Sequence, residues 1–223
     1  MAVVAAAEHE AASPRLKITE VFFSIQGEAS FSGWPTVFVR LTGCPLRCQY
    51  CDTAYAFTGG EWRSFAEIEV DVRRYGTPYV CVTGGEPLAQ PRCAAFLTAL
   101  CDAGFNVSLE TSGAFDIAGV DTRVARVVDI KTPRSRELHR NRWENLVLLT
   151  PHDAVKIVIC DRTDYDWARE VLAKHRLPCP VFFSPSYEQL AAGTLADWIL
   201  ADRLPVRLQV QLHKVLWGNV PGK

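Results

Sequence analysis

The stretch "YVCVTGGEPLAQPRCAAFLTALCDAGFNVSLE", residues 79 to 110, carries a strand, a helix and a second strand in succession. Its two ends, "YVCVT" and "NVSLE", are short and rich in the residues that favour strands. Between them, "PRCAAFLTALCDAG" repeats apolar residues three or four apart, which predicts an amphipathic helix that ends at Gly104. A helix joining two strands predicts that the strands are parallel neighbours.

The same alternation continues on both sides of this unit. Strand candidates lie at residues 17–23, 36–41, 126–131, 154–160, 180–184 and 207–211, and helical segments at 64–76, 163–175 and 186–203. Asp161 or Thr163 can cap the helix at 163–175, and residues 56–64 predict a surface loop with a Gly-Gly turn. The pattern predicts an α/β fold with a parallel sheet and outer helices, either an open doubly wound sheet or a whole or partial (β/α) barrel.

Composition narrows the class of protein. With 223 residues, 48% of them hydrophobic, the chain has enough apolar material for one core, so we expect a single domain over residues 15–223. The net charge of -1 offers no basic stripe for nucleic acid, and no apolar run approaches the length of a membrane span. Residues 1–14 lack the basic start of a signal peptide and predict a mobile N-terminal tail on a cytoplasmic protein.

Polar or glycine-containing stretches follow five of the predicted strands, directly after each strand ends. They are the cysteine-rich segment from residue 44, "GGEP" from 84, "TSG" from 111, "TPRS" from 132 and "SPSY" from 184. In parallel α/β sheets ligands bind beyond the carboxyl ends of the strands. All five stretches are therefore expected at one mouth.

Cys44, Cys48 and Cys51 lie within eight residues of each other. A structural zinc site usually takes four Cys or His ligands, and a reactive thiol pair at Cys48 and Cys51 would leave Cys44 without a role. Three thiolates fit a four-iron cluster better, because its fourth iron then stays open for a ligand. In a reducing compartment the remaining cysteines predict buried thiols rather than disulfides, with Cys179 undecided; they are Cys81, Cys93, Cys101 and Cys160.

The cysteine spacing, with Tyr50 just before Cys51 and "TGGEP" after the next strand, resembles the radical S-adenosylmethionine superfamily. The resemblance implies a 4Fe-4S cluster on the three cysteines, whose open iron binds the amino and carboxylate groups of S-adenosyl-L-methionine. It also implies a flavodoxin or ferredoxin as electron donor. The implied residues around S-adenosyl-L-methionine are Tyr50, Cys51, Asp52, Gly84, Gly85, Ser112, Lys131 and Ser184.

A narrower resemblance covers nearly the whole chain after the tail. "EVFFSIQGEASFSGWPTVFVRLTGCPLRC" at 20–48, "CDT", "VTGGEP", "LETSG" and "QLHKVL" resemble the 7-carboxy-7-deazaguanine synthase family of the queuosine pathway. That family implies conversion of 6-carboxy-5,6,7,8-tetrahydropterin to 7-carboxy-7-deazaguanine with loss of ammonia, aided by Mg2+. It also implies an abbreviated or partial (β/α) barrel of the radical S-adenosylmethionine type, in a homodimer.

The family resemblance assigns roles to single residues, and for some of them a simpler explanation also exists. Arg40 interrupts an apolar strand, where a guanidinium needs a carboxylate partner, and the resemblance makes that partner the substrate's own. The family also implies Thr53 as the Mg2+ ligand, although it could simply cap the next turn, and Glu28 could be a solvated charge. The implied substrate-binding residues are Ile25, Gln26, Gly27, Glu28, Arg40 and Thr83.

The chain also departs from the family pattern. Ala29 stands where a glycine commonly follows "QGE", and the ending "HKVLWGNVPGK" is long, which leaves open whether Pro221 or Lys223 reaches the site. His213 and Lys214 fit either a site or a packing role. Two alternatives stay open: a glycyl-radical activating enzyme, which would not need Arg40 or the "IQGE" loop, and a structural zinc module.

Overall fold

The described strands form one nine-stranded sheet in the computed structural model, which describes residues 13–218, 220 and 222. In chain order they are β1 (Arg15–Ile25), β2 (Pro35–Leu41), β3 (Glu61–Ser64), β4 (Tyr79–Gly84), β5 (Asn106–Thr111), β6 (Ala125–Ile130), β7 (Ala154–Ile159), β8 (Val181–Pro185) and β9 (Arg207–Leu208). All eight strands expected from the sequence are present. Most of the expected tail, residues 1–12, lies outside the described residues, as do residues 219, 221 and 223.

The order of the strands decides between the expected architectures. β2 and β4 to β9 run parallel, each hydrogen-bonded to the next along the chain, while β1 pairs antiparallel with both β2 and β3. A doubly wound sheet reverses its strand order at a switch point, and this sheet does not. Because β3 and β9 remain edges among the described strands, the fold is a partial (β/α) barrel, as the family resemblance implied.

Five α-helices accompany the described strands: α1 (Phe65–Arg73), α2 (Cys93–Asp102), α3 (Arg162–Lys174), α4 (Ala192–Asp202) and α5 (Leu212–Trp217). Ser64 caps α1 in a capping box with Glu67. Asp161, rather than Thr163, caps α3 by accepting from the Asp164 amide at 3.1 Å. Gly104 follows α2 with a φ of +88°, which confirms its predicted role as a helix end. None of the described helices is long and apolar enough to span a membrane.

One large hydrophobic core lies between the sheet and its helices. Its members include Val39, Val82, Leu109, Val155, Ile157 and Phe183 from the strands, and Ile68, Phe96, Leu97, Tyr165 and Leu195 from the helices. All eight cysteines have free thiols, and burial raises the pKa of Cys93 and Cys160 to about 12. The expected buried thiols are buried except for Cys101, which is half-buried, and Cys179 also belongs to the core.

Two segments differ from the sequence-based expectation. Residues 56–64 are not a loop throughout, since a 3-10 helix covers Ala54–Phe57 and β3 pairs with β1 from Glu61 onward. β3 has no buried residue, so it lacks the alternation that periodicity detects. The helix expected from residue 186 begins only at Ala192, because residues 186–190 form a turn in which Glu188 has a φ of +62°.

Leu97→Ala tests the core at α2. Leu97 is fully buried, so its truncation leaves a cavity and should lower the free energy of unfolding by about 2 to 5 kcal/mol. Leu200→Ala in α4 is the matched control, because Leu200 is 73% exposed and its loss should cost less than about 0.5 kcal/mol. Guanidinium unfolding of the iron-free protein measures both, and equal losses would contradict the packing of α2.

Candidate active site

A cavity of about 310 Å³ opens at the carboxyl ends of the parallel strands. Four of the five expected stretches line it, and "TPRS" lies beside the cysteine loop, where the Ser135 carbonyl accepts from the Gln49 amide. Every site residue expected from the sequence lines the cavity except Gly27. Sequence reasoning missed several further lining residues: Tyr55, Glu110, Asp129, Lys156 and Gln211.

The cysteine loop, residues 42–53, is held by its own polar contacts. The Arg47 Nη1 donates at 2.7 Å to the carbonyls of both Cys44 and Leu46, and its guanidinium lies 4.2 Å from the centre of the Phe57 ring. The Arg47 amide donates to the buried Glu137 carboxylate at 2.5 Å. These contacts fix the loop between β2 and the segment after β6.

The three thiols are suited to a cluster rather than to one ion. Among residues 13–218, 220 and 222 no three Cys, His, Asp or Glu side chains converge on one ion position. In a four-iron cluster each thiolate binds a different iron, so the thiols need not converge on one point. Burial raises the pKa of Cys44 and brings that of Cys48 to about 11, while the nearby Lys131 ammonium opposes both shifts. Iron binding must therefore displace thiol protons.

Gly84 and Gly85 allow the turn after β4 to touch the cysteine loop. A Cβ at Gly85 would lie 2.1 Å from the Gly43 carbonyl oxygen, and a Cβ at Gly84 would lie 2.6 Å from that of Leu41. The Gly85 amide donates to the Leu41 carbonyl at 3.2 Å. Both glycines are needed for this contact between backbones, because a Cβ at either position would prevent it.

Glu86, the acid of "GGEP", is fully buried and joins two strand ends. Its carboxylate accepts from the Thr111 hydroxyl at 2.9 Å, the Ser112 amide at 2.6 Å and the Ser112 hydroxyl at 2.5 Å. Ser112, expected beside S-adenosyl-L-methionine, thus has its hydroxyl oriented by Glu86. The sequence signal was present, since an acid in an otherwise apolar stretch requires buried donors.

Polar atoms without partners mark the wall near Lys131. The Lys131 ammonium lies 3.1 Å from Asp129 Oδ2 and 5.9 Å from the centre of the Tyr50 ring. Asp129 Oδ1 and the Tyr50 hydroxyl are buried, and neither has a hydrogen-bond partner among the described residues. Buried polar atoms are normally paired, so this wall fits a ligand with its own donors and acceptors, such as S-adenosyl-L-methionine.

The neighbouring part of the wall carries a buried ion pair. Glu28 accepts from the Lys156 ammonium at 2.6 Å and from the Gln211 amide group at 2.7 Å. Burial by itself raises the pKa of Glu28, but Lys156 outweighs it, so the pKa lies below its usual value and Glu28 is charged. Beside this pair, Glu110 accepts from Thr83 at 3.0 Å and from Gln26 at 3.3 Å. Glu28 is therefore not a solvated loop charge.

Ala29, the departure from the family glycine, has a φ of +56°, in the left-handed region that favours glycine. Its amide donates to the Gln209 side-chain oxygen at 2.5 Å. The loop therefore keeps a glycine-type backbone conformation despite the methyl group.

Arg40 lines the cavity with its charge already paired. Its Nε donates to Glu20 Oε1 at 2.7 Å, and its side chain is only 14% exposed. The sequence left the carboxylate partner to the substrate, whereas in the structure Glu20 of the chain itself already supplies one. A guanidinium has five N–H donors, more than this contact uses.

Thr53 and α5 meet at Asp52. The Thr53 hydroxyl donates to Asp52 Oδ1 at 2.8 Å and makes no side-chain cap to the following 3-10 helix. The Lys214 ammonium of α5 donates to Asp52 Oδ2 at 2.7 Å. Burial by itself raises the pKa of Asp52, but the Lys214 ammonium outweighs burial and lowers the pKa to about 2. Gly27 lies under α5, since a Cβ there would be 2.2 Å from His213 Nδ1. Gly27 thus supports the helix rather than the cavity wall.

The C-terminal segment also reaches the cavity. Gly218, Val220 and Gly222 line it, whereas Pro221 and Lys223 lie outside the described residues.

Comparison with known proteins agrees with this geometry. Residues 38–131 match the model of the radical SAM superfamily, where SAM is S-adenosylmethionine. The structure of QueE from Escherichia coli superposes with a TM-score of 0.74 over 89% of this chain and 95% of that one, at 24% identity, which supports the fold. The match to this superfamily model, together with the sequence relatives of the chain, identifies a radical S-adenosylmethionine enzyme, and this class implies a 4Fe-4S cluster and S-adenosyl-L-methionine.

Relatives identify the family within that class. The 7-carboxy-7-deazaguanine synthase of Chlorobaculum tepidum is 45% identical over 91% of this chain and 94% of its own length. That of Koribacter versatilis is 44% identical over 91% of this chain and 97% of its own length. The chain belongs to the 7-carboxy-7-deazaguanine synthase family. Neither the zinc module nor the glycyl-radical activating enzyme is favoured by these relatives.

Gly85→Ala tests the contact between the glycine turn and the cysteine loop. Because the added methyl meets backbone at Gly43, one loop must shift, which should destabilise the protein by about 1 to 3 kcal/mol and remove most of the bound iron. Gly119→Ala is the control, since a Cβ there meets nothing within 4 Å. Iron and sulfide per chain after anaerobic reconstitution measure the effect, and full iron binding by Gly85→Ala would contradict the contact.

Lys214→Met tests how α5 is docked. No residue of α5 is buried as a whole, although the Lys214 side chain is only 7% exposed, so we expect the polar contacts of this side chain to hold the helix in place. Loss of the Lys214–Asp52 pair should speed hydrogen exchange in residues 212–217 about tenfold, with β1 and β2 unchanged. Lys174→Met in α3 is the control, because that ammonium is 71% exposed and its removal should change nothing. Unaltered exchange in Lys214→Met would show that other contacts hold α5.

Proposed function

We propose that this chain converts 6-carboxy-5,6,7,8-tetrahydropterin to 7-carboxy-7-deazaguanine with loss of ammonia, in the queuosine pathway. The observation that carries the proposal is one cavity holding both a three-cysteine loop and a buried arginine. The first suits a cluster and the second suits a carboxylate substrate. Relatives that carry the name of this synthase along nearly their whole length support the same reaction.

Cys44, Cys48 and Cys51 hold the cluster in this proposal. S-adenosyl-L-methionine held there would supply the radical chemistry, with its electron from the donor protein by way of the cluster, that removes a hydrogen atom from the substrate. The chain's own residues bind and orient the reactants. The proposed wall around S-adenosyl-L-methionine comprises Tyr50, Cys51, Asp52, Gly84, Gly85, Ser112, Lys131 and Ser184, and we add Asp129 because its free oxygen faces no partner.

The pterin lies against the neighbouring wall, around Glu28 and Glu110, in this proposal. Glu28 and Glu110 are carboxylates that can accept hydrogen bonds from the amino and ring N–H groups of a pterin. Gln26 and Thr83 already bind Glu110 and orient it. Ile25 lines the same wall, and Arg40 takes the substrate carboxylate. Gly27 acts indirectly, by letting α5 close on the loop that carries Glu28.

Mg2+ is proposed at Thr53. One hydroxyl is a weak site alone, but Mg2+ keeps several waters and takes further oxygen ligands from substrate. The Thr53 hydroxyl donates to the Asp52 carboxylate, whose charge is already paired with the Lys214 ammonium, so the hydroxyl oxygen keeps its lone pairs for the cation. A carboxylate substrate held by Arg40 completes the proposed ligand set.

The electron donor, the assembly and the cellular location are proposed from the class of enzyme. A flavodoxin or ferredoxin is the proposed electron donor, and two copies of the chain the proposed assembly. The free thiols agree with a reducing, cytoplasmic location. Residues 15–223 are proposed as a single domain around the one large core.

An anaerobic assay with products identified by mass tests the proposal. Reconstituted protein, given dithionite, S-adenosyl-L-methionine, Mg2+ and the carboxypterin, should release 7-carboxy-7-deazaguanine and ammonia. Cys48→Ala should abolish turnover because the cluster loses a ligand. Cys101→Ala is the control, since Cys101 lies on α2 away from the cavity lining and should keep activity.

The products also separate the parts of the proposal. Release of 5′-deoxyadenosine without 7-carboxy-7-deazaguanine would keep the radical chemistry and reject the substrate. Neither product, from protein with an intact cluster, would reject the reaction.

A further inference from the structure

Glu20 faces Arg40 because β1 contains an irregularity. Ile18 pairs with Leu41, but Glu20 pairs with Arg40, so one extra residue, Thr19, is accommodated between them. With the register of Ile18 continued, Glu20 would lie opposite Val39. Bulges of this kind re-aim side chains and are common beside active sites. The bulge thus places a carboxylate directly opposite a guanidinium on the same face of the sheet.

The contacts around Arg40 then fix its orientation. Glu20 Oε1 accepts from Arg40 Nε and from the Tyr55 hydroxyl, each at 2.7 Å. The guanidinium carbon lies 5.5 Å from the centre of the Phe22 ring and 5.8 Å from that of Tyr55. One carboxylate oxygen and two rings therefore hold the guanidinium.

The cavity is lined by Arg40 and Tyr55, whereas Glu20 is not among its described lining residues. Glu20 thus binds Arg40 through Nε without itself lining the cavity. A carboxylate in the cavity is bound best by two parallel N–H donors, which requires a fixed guanidinium plane. An arginine that is already ordered loses less side-chain entropy when the ligand arrives.

We propose that Glu20 and Tyr55 are positioning residues, which orient Arg40 so that its remaining donors form a two-pronged site for the substrate carboxylate. The proposal rests on the assignment of Arg40 to that carboxylate. It gives Glu20 and Tyr55 a role in selectivity for carboxylated over uncarboxylated pterins. The role depends on an acceptor for Arg40 Nε rather than on contact with the ligand.

The test compares two ligands in each variant. The reconstituted enzyme with S-adenosyl-L-methionine and Mg2+ is titrated anaerobically with the carboxypterin and with the same tetrahydropterin lacking its carboxylate. Glu20→Ala should lower the affinity for the carboxypterin about tenfold and leave the affinity for the uncarboxylated pterin unchanged, because only the carboxylate contacts Arg40. Glu20→Gln keeps an oxygen acceptor and should retain most of the selectivity. Tyr55→Phe keeps the ring but loses the hydroxyl, so it should lower the affinity for the carboxypterin about threefold.

Two further variants separate the possible results. Glu61→Gln, an exposed carboxylate on β3, should behave as wild type. Arg40→Ala should abolish the preference for the carboxylated ligand. If Arg40→Ala does so and Glu20→Ala keeps full selectivity, the positioning role is wrong while the carboxylate site stands. If Arg40→Ala itself leaves selectivity intact, the carboxylate assignment fails and the inference falls with it. Equal weakening of both ligands in Glu20→Ala, with lost iron, shows a structural role and also overturns it.

Discussion

The contact between the glycine turn after β4 and the start of the cysteine loop is the constraint on which the site depends. Two backbones meet there with no room for a Cβ at Gly84 or Gly85. The contact brings the ends of β2 and β4 to one level, and Glu86 extends it to the end of β5 through Thr111 and Ser112. Three neighbouring strand ends are thereby joined without any ligand. The position of a cluster bound by the cysteine loop would therefore depend on this contact.

Charge in the cavity is balanced mainly within the chain. Lys156 pairs with Glu28 at 2.6 Å and lies 3.6 Å from Asp129, which in turn meets Lys131 at 3.1 Å. This row connects the wall proposed for the pterin with the wall proposed for S-adenosyl-L-methionine. Removing one member would leave a buried charge without its partner, a costlier change than removing a pair. A substitution of a charged residue in one wall would therefore also destabilise charges in the other wall.

The sequence predicted the strands well because six of the parallel strands, β2 and β4 to β8, are largely buried and read as apolar runs. It failed for β3, which has no buried residue, and for α5, which has no buried apolar residue and shows no helical period. Within the site, sequence motifs found the residues of the strand ends. They gave no site role to Glu110, Asp129 or Lys156, which lie inside strands. The partners of Glu110 and Lys156 come from distant segments, whereas Asp129 contacts Lys131 of its own segment as well as the distant Lys156. Long-range ion pairs leave no local pattern in a single sequence.

The C-terminal segment shows why a short helix can matter to the cavity. The Leu212 amide donates to the Gly27 carbonyl at 3.1 Å, Gln211 donates to Glu28, and Lys214 donates to Asp52. All these partners belong to the two loops that the proposed reaction uses. A ligand that donates a hydrogen bond to Glu28 competes with Gln211, and a cation near Asp52 competes with Lys214. Because apolar burial contributes little to its docking, the position of α5 depends on the charges of the site that it covers.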